Sequence, residues 1–221
     1  MKAYIKNLAE EIRALADPGR AEFAKKYMRD MFEFIGTDAK TLRNCIHNYV
    51  KENGFPEMNQ LGEFSLTLWE LPEREFQYTA LEIVRKLSKK LDKEDIKWIE
   101  LLIVRKSWWD TVDGLAGWVC GTYFNLFPEQ IKPVTGRWMK SGNLWLQRSS
   151  LLFQMKYKQN TDTNLLADYI GQLSSHPDFF IRKAIGWILR EYSKTNKEWV
   201  KEFVNNHSLS GLSIREASKY L

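Results

Sequence analysis

The sequence predicts an all-α protein built as an array of helical hairpins. Apolar residues recur at the i, i+3, i+4, i+7 spacing of amphipathic helices, and stretches of period-two alternation are scarce. Short breaks separate these segments, at 17–19, 54–56, 128, 133, 141–143 and 176–178. None is a Gly/Ser linker, so residues 1–221 are expected to form one domain. We predict a HEAT-like helical-repeat solenoid, an α–α superhelix with a concave binding face.

The repeat is visible in similar segments that each open a predicted helix. Their equivalent positions lie 33, 37, 35 and 33 residues apart, at Gln77, Asp110, Gln147, Arg182 and Arg215. This interval is typical of one helical hairpin in a HEAT or tetratricopeptide array. An irregular helical bundle with chance similarity is the alternative.

Charge is distributed unevenly along the chain. Residues 1–100 carry 17 Lys and Arg against 18 Asp and Glu, whereas residues 101–221 carry 16 against 10. A basic C-terminal half indicates a polyanionic partner that is contacted mainly by the later helices.

The cysteine, histidine and hydropathy patterns argue against a metalloprotein, a disulfide-bonded protein and a membrane protein. Cys45, Cys120 and the three histidines have no metal-ligand or disulfide spacing, so neither a metal nor another cofactor is predicted. No signal peptide and no apolar run of 18 residues is present, so we expect no membrane association and a cytoplasmic location.

The run 106–113 predicts the start of a helix that has an apolar core face and a second face with a different composition. Its apolar face contains Trp108, Val112, Leu115 and Val119. Trp109 and Asp113 are four residues apart and lie together on another face. Ser107 is expected to cap this helix together with Asp110, which leaves Asp113 without a structural role. A carboxylate beside a large aromatic ring suits a site that receives a cation.

Two later helices complete the pattern. A helix predicted over 144–158 is apolar on almost all sides and should lie between layers. Within it Arg148 must reach an anion, and a structural ion pair and a phosphate contact are both compatible with the sequence. A helix from Ile181 places its core stripe at Ile181, Ala184, Ile185, Ile188 and Tyr192.

The opposite face of that last helix is basic and carries a tryptophan. It contains Lys183, Trp187, Arg190 and Lys194. Stacking on a nucleotide between phosphate-binding cations would explain Trp187. Packing against a neighbouring repeat is the alternative.

These segments resemble one known family. The runs 71–77, 106–113, 143–148, 153–158 and 179–192 are similar to those of the AlkD-type bacterial alkylpurine DNA glycosylases, which consist of HEAT-like repeats. The resemblance implies that Asp113, Trp109 and Trp187 are catalytic and surround the deoxyribose of the lesion. It also implies DNA contacts by Arg148, Tyr27, Arg43, Lys156, Arg190 and Lys194. One departure is the cluster of Gly114, Gly117 and Gly121, where bulkier residues are expected.

The function implied by the resemblance is base excision repair. A monomeric, monofunctional glycosylase without metal or cofactor would hydrolyse the N-glycosidic bond of N3-methyladenine, N7-methylguanine and related cationic purines. It would act on double-stranded DNA without base flipping, in the cytoplasm of a bacterium and at the nucleoid. The alternative is a non-catalytic helical-repeat scaffold that binds DNA or protein.

Overall fold

The computed structural model describes residues 1–221, and most of the chain is helical. The α-helices are α1 (Lys2–Arg13), α2 (Pro18–Tyr27), α3 (Ala39–Asn53), α4 (Leu61–Glu70), α5 (Arg74–Leu87), α6 (Ile96–Val104), α7 (Trp109–Gly114), α8 (Gly121–Leu126), α9 (Ile131–Lys140), α10 (Leu144–Leu152), α11 (Thr163–Leu173), α12 (Phe179–Ser193), α13 (Lys197–Asn206) and α14 (Gly211–Ala217). A π-helical segment, Leu115–Cys120, joins α7 to α8. The one β feature is an isolated bridge between Glu33 and Glu73. The all-α prediction is confirmed.

The chain divides into two compact units, Met1–Lys106 and Ser107–Leu221. The sequence at the boundary is not a Gly/Ser linker. The prediction of one domain over residues 1–221 is not tested by this division and stays a prediction.

In the first unit, α1 packs against α3, and α4 packs against α5 and α6. The loop after α2 is fixed by the buried Glu75, whose carboxylate accepts hydrogen bonds from the backbone N–H groups of Ile35 (2.9 Å) and Gly36 (2.8 Å). By contrast, α2 has no buried residue, and Phe23 and Tyr27 are exposed on it.

The second unit is centred on α12, which contacts α10, α13 and α14. All five residues of its predicted core stripe are buried, as the 3.6-residue period requires. They join one apolar cluster with side chains from α10, α11 and α13, among them Leu151, Leu166, Ile170 and Phe203. This packing fixes the opposite face of α12 in place.

The predicted repeat has a counterpart in hydrogen bonding. Gln77 in α5 donates to the backbone carbonyl of Trp69, eight residues earlier, at 2.9 Å. Gln147 in α10 makes the same bond to Met139 at 3.0 Å, again eight residues earlier. Because such a bond joins the second helix of a hairpin to the end of the first, these two segments are equivalent structural units.

Three boundaries predicted from the sequence are wrong. The helix predicted over 144–158 ends at Leu152, because Gln154 binds both the backbone N–H (2.7 Å) and the carbonyl of Asp162 and holds the chain in a turn. Pro133 lies inside the first turn of α9, where an N–H is not needed. The helix of the 106–113 run begins at Trp109 with Trp108 as its N-cap residue, so Ser107 is not the cap.

Candidate functional site

A cavity of about 310 Å³ lies in the second unit. It is lined by Trp109, Asp113, Arg148, Phe179, Phe180, Lys183, Trp187 and Arg190. The structure thus brings together six of the residues that the sequence singled out. They come from three helices, α7, α10 and α12, that are distant along the chain.

An ion pair forms the floor of this cavity. Arg148 donates through Nε to Oδ1 of Asp113 at 2.7 Å and through Nη2 to Oδ2 at 2.8 Å. The Arg148 side chain is 3% exposed and that of Asp113 is 12% exposed. Arg148 also donates through Nη1 to the carbonyl of Phe180, which ties α10 to α12. The structure therefore realises the ion-pair alternative for Arg148, and a phosphate contact stays a prediction.

Burial raises the pKa of Asp113 above its usual value. The hydrogen bonds and positive charge of Arg148 act in the opposite direction, and the nearby charge of Asp110 adds to the rise. Each carboxylate oxygen keeps a lone pair beyond the one that Arg148 occupies. Asp113 therefore presents a weakly hydrated anion to whatever enters the cavity.

Aromatic side chains form the surroundings of the pair. Trp108 packs against Phe180 with ring centroids 5.1 Å apart, and Trp145 also contacts Phe180 at 5.1 Å. The two consecutive tryptophans therefore have different environments. Trp108 belongs to this aromatic cluster, whereas Trp109 lines the cavity. Trp187 is half-buried, packs against the core and lines the cavity, and its stacking on a nucleotide stays a prediction.

Close packing explains one of the three unexpected glycines, Gly121. A Cβ at Gly121 would lie 2.7 Å from the carbonyl oxygen of Phe153, and Tyr157 donates to the carbonyl of Gly121 at 2.8 Å. A Cβ at Gly117 would be only in ordinary contact with Met155. Glycine at 121 thus lets the turn after α10 approach the start of α8.

One face of the helical stretch that carries Asp113 is open to solvent. Exposed or half-buried positions recur every four residues there, at Asp110, Gly114, Trp118 and Thr122. Trp118 is exposed on this face, and Nζ of Lys156 lies 5.1 Å from the centre of its ring.

Four residues predicted to contact DNA lie outside the cavity lining. Lys156 is exposed beside Trp118. Lys194 pairs with Glu191 at 2.6 Å. Tyr27 and Arg43 belong to the first unit, and both are exposed there. Their contact with DNA stays a prediction.

Sequence reasoning missed some residues of the site. Phe179 and Phe180 line the cavity but were not chosen, although they directly precede the amphipathic pattern of α12. Glu216 lies behind the cavity, and nothing in its local sequence distinguishes it from an ordinary surface glutamate.

No group of three His, Cys, Asp or Glu side chains has an arrangement that would hold a metal ion. None of the helices combines the length and apolarity that a membrane span requires.

Comparison with known proteins identifies the class. Residues 8–221 match the family model of the DNA alkylation repair enzymes, and the chain belongs to that family. Its structure is similar to that of a predicted DNA alkylation repair enzyme from Enterococcus faecalis, with 31% identity, a TM-score of 0.86 and coverage of 93% of this chain and 96% of that one. The search of curated proteins found no match.

Two further solved structures share the fold at lower identity. AlkD2 from Streptococcus mutans is 19% identical with a TM-score of 0.61, over 80% of this chain and 88% of that one. The protein smu.31 from Streptococcus mutans UA159 is 18% identical with a TM-score of 0.62, over 91% of this chain and 99% of that one. The predicted helical-repeat class is confirmed.

Proposed function

We propose that this DNA alkylation repair protein is a monofunctional glycosylase that excises cationic alkylated purines from duplex DNA. The observation that carries the proposal is the Asp113 carboxylate, which lines the same cavity as Trp109 and Trp187. N3-methyladenine and N7-methylguanine are the substrate class, and the protein would act as a monomer in the bacterial cytoplasm. Base flipping would not be needed, because the sugar and not the base is the group that the site has to contact.

The chemistry follows from the charge of the lesion. A purine methylated at N3 or N7 is already a cation, so the C1′–N bond can break with its electron pair passing to the base, which leaves neutral. Positive charge develops on the deoxyribose, as in glycoside hydrolysis. Water then adds to C1′ and releases a proton to the solvent. No general acid is required.

Asp113 is placed to lower the barrier of that step. A fixed carboxylate stabilises a cationic transition state most when little water competes for it, and Asp113 is mostly buried. Its free lone pairs can also orient the attacking water. Arg148 holds the carboxylate in position through two hydrogen bonds.

The two tryptophans supply a second form of stabilisation. The faces of indole rings attract cations, and Trp109 and Trp187 both line the cavity beside Asp113. Cationic side chains of the same wall, Lys183 and Arg190, are placed to bind the phosphates next to the lesion.

The test is single-turnover release of free base from methylated duplex DNA by the pure protein. We expect release with or without EDTA, and a rate about 10-fold to 1000-fold lower for Asp113→Asn, the usual loss when one electrostatic group is removed from a preorganised site. Asp168→Asn is the matched control, because it removes the same charge from α11 and Asp168 does not line the cavity. Its rate should stay within about threefold of wild type.

Two results would contradict the proposal. Absence of base release by the wild-type protein, or a wild-type rate from Asp113→Asn, would leave the alternative of a non-catalytic scaffold. Trp109→Ala and Trp187→Ala should each slow release less than Asp113→Asn does.

A further inference from the structure

One buried carboxylate behind the cavity holds three cationic side chains. Oε1 of Glu216 is 2.7 Å from Nζ of Lys183, and Oε2 is 3.1 Å from Nη1 of Arg190 and 2.9 Å from Nζ of Lys219. The Glu216 side chain is only 5% exposed, whereas its three partners are 23% to 46% exposed. Glu216 is therefore the fixed centre of the cluster.

The sequence places Glu216 there by close packing of α14 on α12. A Cβ at Gly186 would lie 2.5 Å from Cβ of Glu216 and 2.7 Å from the carbonyl oxygen of Ser213. The hydroxyl of Ser213 also donates to the carbonyl of Arg182 at 2.9 Å. Only a glycine at 186 permits this approach, so the position of Glu216 is specified by both helices.

The cavity itself has an excess of positive charge. Its lining contains three cationic side chains and one carboxylate. Asp113 is paired with Arg148, which leaves Lys183 and Arg190 without an anion in the lining. Glu216 supplies that anion from behind, in contact with both side chains.

This arrangement answers a conflict in the proposed reaction. Binding of phosphates requires cations, but cations near the sugar oppose the positive charge that develops there. A carboxylate that contacts both cations reduces their repulsion of the transition state. It also holds their long side chains in one position.

We propose that Glu216 is a positioning residue, which holds Lys183 and Arg190 at the cavity wall in competition with the DNA phosphates and offsets their charge during bond cleavage. The inference rests on the proposed function. Hydrogen bonds from Lys183 and Lys219 lower the pKa of Glu216 to about 2, so it is ionised at neutral pH.

The proposal predicts opposite changes in binding and in chemistry. In wild type, Lys183 and Arg190 must give up their ion pairs with Glu216 before they can bind phosphate. In Glu216→Gln this competing carboxylate is absent. Undamaged duplex should then bind about three to ten times tighter at low salt, and the slope of log affinity against log salt should steepen by about one. Excision from the saturated complex should be about three to ten times slower. A general loss of structure would instead weaken both.

The experiment compares the variant with one of equal charge. Glu198→Gln removes the same charge from α13. There Glu198 pairs with Lys201 at 3.0 Å, and neither residue lines the cavity. Affinity for undamaged duplex is measured over a series of salt concentrations, and base release is measured in single turnover. Glu198→Gln should stay within about twofold of wild type in both, and Glu216→Asp should keep the wild-type excision rate.

Each outcome decides the proposal. Equal behaviour of Glu216→Gln and Glu198→Gln would overturn it, and so would a joint loss of affinity and rate in a folded Glu216→Gln protein. If Glu216→Gln loses the cooperative thermal transition, Lys183→Met decides: weaker binding with an undiminished rate at saturation supports the proposal, and a slower rate overturns it. A wild-type protein without glycosylase activity would contradict the proposed function, and the salt series would still decide the role of Glu216 in binding.

Discussion

Asp113 and Glu216 are both buried carboxylates that hold cations of the same cavity wall, yet their pKa values move in opposite directions. Asp113 has one cationic partner, Arg148, and burial raises its pKa. Glu216 has three partners, and hydrogen bonds from two of them lower its pKa to about 2. The exposed fractions of the two side chains are similar, at 12% and 5%. Loss of hydration is the largest cause of the raised pKa of Asp113, whereas the hydrogen bonds of Lys183 and Lys219 are the largest cause of the lowered pKa of Glu216.

This difference in pKa fits two different roles for the carboxylates. A carboxylate with more cations than it can neutralise has little remaining attraction for another positive charge. A carboxylate with one partner and little water retains such attraction, and Asp113 directs it into the cavity. Substitutions on the two sides should therefore have effects of different size.

The largest effect on stability is expected from Arg148→Met. This change leaves the Asp113 carboxylate buried without a cation, and breaking a buried pair in this way costs about 3–5 kcal/mol. Chemical denaturation of the wild type and the variant measures the difference in unfolding free energy. The double variant Asp113→Asn with Arg148→Met should recover a large part of the loss, since no unpaired charge remains. A loss below about 1 kcal/mol in the single variant would show that water reaches Asp113.

The next effect concerns the packing that places Glu216. Gly186→Ala would press its Cβ against Glu216 and the backbone of Ser213, and overpacking of this kind costs about 1–3 kcal/mol. Gly171→Ala in α11 is the matched control, because nothing lies within 4 Å of the added Cβ. The control should be stabilised by up to about 1 kcal/mol through helix propensity. Thermal unfolding of both variants tests this contrast, and equal transition temperatures would contradict it.

The same contrast shows how far the sequence could predict the molecule. The period of α12 was sufficient to separate its core stripe from the face that carries Lys183, Trp187 and Arg190, because burial repeats every 3.6 residues. Asp113 stood out because local structure gave it no role. These are properties of single helices, and sequence patterns report them well.

The rest depends on contacts between distant segments. The early end of α10 follows from the bonds of Gln154 to Asp162, which no local pattern indicates. Glu216 is 26 residues from Arg190 in the chain, and only the packing of α14 on α12 brings the two together. For the same reason, the sequence could not choose between the two alternatives for Arg148.

The pH dependence of excision tests whether Asp113 must be ionised. Because the anion is the active form and its pKa is raised, the rate should fall as the pH drops through that raised value, about tenfold for each further unit. Single-turnover rates of the wild type at several acidic pH values, with enzyme in excess, measure this limb. The residual activity of Asp113→Asn should lack it. An acid limb of equal size in the variant would assign the titration to another group, or to the DNA.

The smallest expected effect is the pH dependence of the contribution that Glu216 makes to the free energy of unfolding. A carboxyl whose pKa is lower in the folded protein than in the unfolded chain stabilises the fold above its unfolded value, 4.5, and loses this contribution as the pH falls from there towards about 2. Glu216→Gln should therefore lose about 1 kcal/mol of unfolding free energy at pH 7, since the three cationic partners remain partly solvated. The difference from wild type should shrink steadily between pH 4.5 and pH 2. Denaturation series at pH 7 and pH 3 measure it, with Glu198→Gln, whose side chain is 80% exposed, as the control that should show almost no difference at either pH. A difference that stays constant with pH would mean that the glutamine disturbs packing, and that the three ion pairs of Glu216 contribute little to folding.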